Sequence, residues 1–259
     1  MPRSAAEHHA AWADLTAELD LWGESGRLAT FWWRDDDAVA ATPRLHDLFS
    51  VAEGAPIALA VIPQRAQPEL SAVLESWPNV AVLQHGWQHA NHAEQAKKSE
   101  FPEKRRPAVV RDELALGRAR LAALFARRAL AIFVPPWNRF AECFLPVLQE
   151  AGLIGISGMR GGRRVAPRPG IARADVHVDL VAWRAGGGFV GTEPALGHIV
   201  AHLRRRRRGE AEPGEATGIL THHLVTDRAA LAFLARFGGV LSAHPAAAWI
   251  APEQLFVCR

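Results

Sequence analysis

The chain has 259 residues with a formal charge of +3, 49% of them hydrophobic and 22% charged. That is enough for one large α/β domain with a sizeable core, and the balance excludes a disordered or fibrous protein. The only cysteines, Cys143 and Cys258, lack metal-ligand spacing and read as two free thiols, and no apolar run reaches membrane-span length.

The first residues carry acids and histidines where an export signal would have an apolar core, so a cytoplasmic protein without a membrane partner is expected. Residues 5 to 22 place Trp12, Leu15, Leu19 and Trp22 near helical spacing. The run LATFWW (28 to 33) predicts a strand with Trp32 and Trp33 in the core. Thr42 and Pro43 then open a helix through Phe49. IALAVIP (57 to 63) reads as a buried strand, Pro68 to Trp77 as a short helix, and VAVLQH (80 to 85) as the next strand.

A long helix is predicted over 107 to 128, a strand over 129 to 134, and a helix over 141 to 151 ended by Gly152. LIGIS (153 to 157) resumes the sheet, and 158 to 172 is loop. VHVDLVAW (176 to 183) alternates until the glycines at 186 to 188. Helices follow over Pro194 to Arg207 and Asp227 to Phe237, flanking a strand that leads into His222 and His223. The terminal LFVC suggests a last short strand. Arg204 to Arg208 read as a solvated helix end, and without interleaved aromatics they do not support nucleic-acid binding. The βαβα alternation favours parallel strands wrapped by helices, a barrel rather than an open sheet, in a single domain over 1 to 259. No GxGxxG or Walker pattern supports a nucleotide cofactor.

In parallel α/β folds reactive groups gather at the carboxyl ends of strands. Four predicted strands end in unusual residues. They deliver Asp35, Asp36 and Asp37; His85, followed by His89 and His92; Pro135, Pro136, Trp137 and Asn138; and His222 with His223. Three adjacent acids repel one another unless a cation sits among them. Two imidazoles four residues apart, with a carboxylate from another strand, form an N/N/O set that suits Zn2+ and accommodates Co2+, Ni2+ or Fe2+. A spare Asp beside the liganding one is then the natural general base. His8, His9, His46, His177, His198, His202 and His244 read as structural or surface residues.

These motifs, in this order over roughly residues 28 to 258, resemble the NodB-type polysaccharide deacetylases, carbohydrate esterase family 4. RDDDA (34 to 38) stands in place of that family's TFDDG, HGWQH (85 to 89) of H(S/T)xxH, VPPWN (134 to 138) of RxPY/W-G, and Leu220 with His222 of LxH. The resemblance implies a distorted (β/α)7 barrel with Asp37, His85 and His89 as metal ligands. It also implies Asp36 as catalytic base and His222 as general acid. A second register has Asp35 as base and Asp36 as ligand. Pro136, Trp137, Asn138 and His223 fall at oxyanion or substrate positions, and Asp179 with Trp183 match a fourth motif. The family arginine that orients the base is Val134 here, leaving Arg34 or Arg139 to replace it.

The expected activity is metal-dependent hydrolysis of amide bonds, most simply N-deacetylation of an acetylated sugar or sugar-containing metabolite. A cytoplasmic amidohydrolase of small cyclic or linear amides, and a non-catalytic carbohydrate-binding protein with a degenerate site, are the alternatives. The partner is a small-molecule or carbohydrate substrate, and no signal in the chain specifies an oligomer.

Overall fold

The structure, a computed structural model, describes residues 5–94, 97–159, 169–212 and 214–256, with residues 5–8 by backbone alone. Its elements in chain order are α1 (Ala5–Glu24), β1 (Ala29–Ala38), α2 (Pro43–Val51), β2 (Ile57–Val61), α3 (Pro68–Glu75), β3 (Val80–His85), α4 (Pro107–Phe125), β4 (Ala129–Val134), α5 (Leu145–Glu150), β5 (Gly155–Ile156) and β6 (Ala172–Arg173). They continue with β7 (Val178–Asp179), α6 (Thr192–Arg207), β8 (Thr217–Thr221), α7 (Arg228–Ala243), β9 (Ala247–Trp249) and α8 (Pro252–Leu255). Two compact units divide the chain, Met1–Trp33 with Pro43–Pro56 and Val176–Ile250, and Arg34–Thr42 with Ile57–Asp175 and Ala251–Arg259.

In the first unit Trp12, Leu15, Leu19 and Trp22 form the buried stripe of α1, which packs against α6. Truncating Leu15, fully buried, to alanine costs about 2–5 kcal/mol on the usual scale of core cavities. The amino half of β1 pairs in parallel with β9, Ala29 opposite Ala247, and β7 pairs in parallel with β8. Phe31, Phe233, Phe237 and Trp249 pack ring against ring beside them. Asp227 caps α7 by accepting the Ala230 N–H at 2.8 Å.

In the second unit β2, β3, β4, β5 and β6 pair in that order, all parallel. All five residues of β2 are buried, as expected of a strand covered on both faces. The carboxyl half of β1 lies beside β2, where Ile62 N–H donates to the Ala38 carbonyl at 2.9 Å. Phe101, Phe133, Phe140 and Phe144 centre a separate aromatic core.

Three expectations need correcting. β1 does not stop before the acids but runs through all three to Ala38, with Asp36 facing the Arg34 guanidinium and Asp37 facing two imidazoles. LFVC begins in a helical turn opened by Pro252 rather than a strand, while Val257 and Cys258 lie outside the described residues. The arginine run is not simply solvated. Arg206 is 1% exposed and bonds Thr30 and Thr217, and Arg207 Nε reaches Glu18 Oε1 at 2.7 Å, tying α6 to α1. Cys143 is a free, exposed thiol, and no described helix is long and apolar enough to cross a membrane.

Candidate metal centre

Residues two apart on a strand share a face, so Arg34 and Asp36 on β1 point the same way. Arg34 is fully buried. Its Nη2 donates to Asp36 Oδ2 at 3.0 Å and to Asn138 Oδ1 at 2.7 Å. Its Nη1 donates to Ser157 Oγ at 2.7 Å and to the Ser157 and Gly158 carbonyls. Nε lies 2.8 Å from Asp36 Oδ1, an ion-pair contact too oblique for a hydrogen bond. Both Asp36 oxygens therefore face the guanidinium. Arg139 is engaged elsewhere, donating to the Lys98 carbonyl at 3.0 Å.

Asp37 breaks the alternation with φ +72°, a left-handed conformation that Asp tolerates better than most residues. That twist brings Oδ1 3.1 Å from His85 Nε2 and 3.3 Å from His89 Nε2. His85 ends β3 opposite Val134 of β4, which sets its Nδ1 3.1 Å from the Val134 carbonyl oxygen. A carbonyl only accepts, so Nδ1 carries the proton and the neutral ring turns its Nε2 lone pair on the carboxylate. Two lone pairs then face each other unless the ring gains a second proton or a cation lies between them.

The titration follows from that. Burial pulls His85 down, but the charges of Asp36 and Asp37 and the bond to Asp37 outweigh it and leave its pKa raised. His89 is lowered, by burial and then by the charge of His85. Ligand bonds of about 2.0–2.1 Å in a tetrahedron separate donor atoms by about 3.3–3.4 Å. The donor set and its spacing fit a divalent ion held by Asp37, His85 and His89.

The turn after His85 is built around a buried carboxylate that sequence reasoning missed. Glu100, 0% exposed, accepts the N–H groups of Trp87, Gln88 and His89, the Gln88 bond being 2.8 Å. Gly86 takes φ +62°, and a Cβ there would collide with Glu100 Oε2. His89 itself has φ +61°. Burial raises the Glu100 pKa, and the backbone N–H groups offset only part of that.

After β4, Trp137 and Asn138 also adopt positive φ, 54° and 55°. Among the described residues, four of the six non-glycine residues with positive φ are Asp37, His89, Trp137 and Asn138. Such strain persists where surrounding contacts over-determine it, and it concentrates at functional sites. The Trp137 ring packs on His89 with centroids 4.3 Å apart. Asn138 N–H is spent on the Pro135 carbonyl at 2.9 Å, whereas Trp137 N–H has no acceptor among the described residues. Pro136 is buried against this turn.

Asp35 is fully buried within β1 and is not in the triad. His222 and His223 follow β8 in the first unit. His223 is 1% exposed, and His222 meets the Trp183 edge at 4.9 Å with its buried Nδ1 unbonded. Asp179 fixes that tryptophan, accepting Trp183 Nε1 at 2.8 Å and the Val181 N–H at 2.9 Å. A second His/His/acid group in the same unit joins His177 and His202, both expected to be structural or surface residues, with Glu215.

No protein-family model matches the sequence, and no curated protein matches it. Solved structures do. A family 4 carbohydrate esterase from Streptomyces lividans in complex with acetate aligns with TM-score 0.55 at 13% identity, over 90% of this chain and 96% of that one. A family 4 acetyl xylan esterase from Clostridium thermocellum with a cobalt ion gives 0.50 at 13%, over 88% and 90%. A peptidoglycan N-acetylglucosamine deacetylase gives 0.51 at 13%, over 91% and 95%. At such identities the likeness speaks to fold, and the fold is the distorted (β/α)7 barrel of the NodB-type deacetylases.

Proposed function

We propose that this protein is a metal-dependent deacetylase that hydrolyses the amide of an N-acetylated sugar or sugar-containing metabolite. The observation that carries the reading is the convergence of His85 and His89 Nε2 on a single oxygen of Asp37, beside an Asp36 carboxylate fixed by Arg34. A divalent ion, Zn2+ in the first instance, would be held by that triad, where it supplies Lewis acidity for an acyl oxygen and for water. Asp36 is the general base, aimed by the guanidinium rather than left to rotate. The Trp137 N–H donates to the oxyanion that develops on the acyl group. The motif resemblance assigns His222, whose ring packs against Trp183, the role of general acid for the departing amine, and His223 a place at the substrate. Water adds to the acyl carbon, the C–N bond breaks, and acetate and amine leave.

The structural likeness spans esterases as well as an N-deacetylase, so the bond cleaved is the point to test. The purified protein, stripped and reloaded with Zn2+, Co2+ or Ni2+, is assayed for acetate release from N-acetyl sugars, O-acetyl sugars and cyclic amides. Metal-restored turnover on N-acetyl sugars is expected. Turnover confined to esters or cyclic amides would replace the assignment, and glycan binding without turnover on any of them would mark a non-catalytic protein.

A further inference from the structure

The Glu100 carboxylate has no role in the reading above, yet it is buried beside the residues that carry it. Among the described residues no lysine or arginine side chain pairs with it. Arg105, the nearest candidate, gives its guanidinium to Glu113 and to the Glu100 backbone carbonyl. What the carboxylate meets instead is three successive backbone N–H groups, from Trp87, Gln88 and His89. Successive N–H groups turned to one side form an anion cradle, a feature more often filled by a bound phosphate or cluster. Here the chain fills the cradle with its own side chain. The last donor of the three belongs to His89, so the bond that satisfies Glu100 also fixes the backbone from which that imidazole projects.

We propose that Glu100 is a positioning residue for the metal centre: its carboxylate locks the Gly86–His89 turn so that His89 Nε2 meets the oxygen of Asp37 shared with His85. The inference rests on the metal-site reading. The geometry imposes a reciprocal demand, since a Cβ at Gly86 would collide with Glu100 Oε2, and no other described glycine stands against that carboxylate. Groups that orient ligands in this way are worth about 10–100-fold in metal affinity when removed.

The test is zinc and cobalt affinity of the full-length protein, measured by competition with a chromophoric chelator, together with thermal unfolding of the metal-free form. Glu100→Ala should bind about 10–100-fold more weakly. Gly86→Ala, which displaces the same carboxylate, should weaken binding in the same direction. Glu100→Gln keeps one acceptor oxygen for Gln88 and His89, so it should fold and show a smaller loss. The visible spectrum of bound cobalt should change in each variant as His89 shifts. Variants that lose thermal stability yet keep wild-type affinity and an unchanged cobalt spectrum would overturn the proposal, leaving Glu100 a purely structural cap. If wild type binds zinc no better than His85→Ala, the metal reading itself fails and takes this inference with it.

Discussion

Asp37, His85 and His89 in the second unit, and His177, His202 and Glu215 in the first, each place two imidazoles and a carboxylate within 4.8 Å. In the Asp37 group the rings are 5.1 Å apart and tilted by 48°, and both Nε2 atoms aim at one oxygen. The His177 and His202 rings stack instead, 3.6 Å apart and within 25° of parallel. An ion shared between two stacked rings lies out of both ring planes, away from the in-plane lone pairs through which an imidazole nitrogen binds a metal.

Proton placement differs as well. His85 Nδ1 faces a carbonyl and keeps its hydrogen, which frees Nε2. His177 Nδ1 accepts the Gly218 N–H at 2.9 Å, so its hydrogen sits on Nε2, 3.3 Å from Glu215 Oε1. Arg206 lies in the field of the same glutamate, with its pKa lowered by burial to about 10 even though Glu215 acts to raise it. The positive charge of Arg206 already acts on the carboxylate that an added cation would need. Composition and proximity are alike in the two groups. Tautomer and lone-pair direction separate a ligand set from a packed ion pair.

The sharpest way to break this contrast is metal stoichiometry. Asp37→Ala, His85→Ala and His89→Ala should each abolish bound zinc, measured by elemental analysis after dialysis, whereas His177→Ala and His202→Ala should leave it unchanged. A second ion in wild type that disappears with His177 would erase the distinction. Next in size is Asp36→Asn, which keeps the metal and should lower turnover about 10²–10⁴-fold, the scale of general-base catalysis. Asp35→Asn should do little, and the reverse pattern would shift the acid register by one residue. In stability, Arg34→Met strands the buried Asp36 charge and should cost about 3–5 kcal/mol in denaturant unfolding. His202→Phe loses a 2.9 Å bond to Thr217 but keeps the stacked volume, and about 1–3 kcal/mol is expected.

The parallel strands were legible as apolar runs, and the clustering of Asp37, His85, His89 and Asn138 was legible from their places at strand ends. Arg34 was one of two candidates because sequence does not reveal where a strand stops. Only when β1 continues through the acids do residues 34 and 36 share a face. Glu100 gave no signal. It sits in an irregular segment without periodicity, and its partners are backbone N–H groups that carry no residue identity. LFVC misled because a short apolar run does not distinguish helix from strand, although Pro252 was a readable helix start. β5 and β6, two residues each, are too short to show an alternation.

The smallest expected effect, and the one that tests the tautomer argument directly, is in pH. The raised pKa of His85 means that the metal-free protein holds a proton there above the usual imidazole range. By linkage that proton stabilises the metal-free fold fully below the unfolded value of about 6.5, and the stabilisation is lost as pH rises through the higher folded value. His89, lowered, is neutral near pH 7 and contributes no such gain. Zinc must displace the His85 proton, so binding should release protons near neutral pH, fewer as pH climbs past the folded value, and affinity should fall with acidification. Titration calorimetry in buffers of different ionisation enthalpy reads the released protons. Zinc uptake with no proton release near neutral pH would mean that His85 Nε2 carries no second proton in the metal-free protein, so that its lone pair faces Asp37 uncompensated, against the raised pKa that the two carboxylates impose.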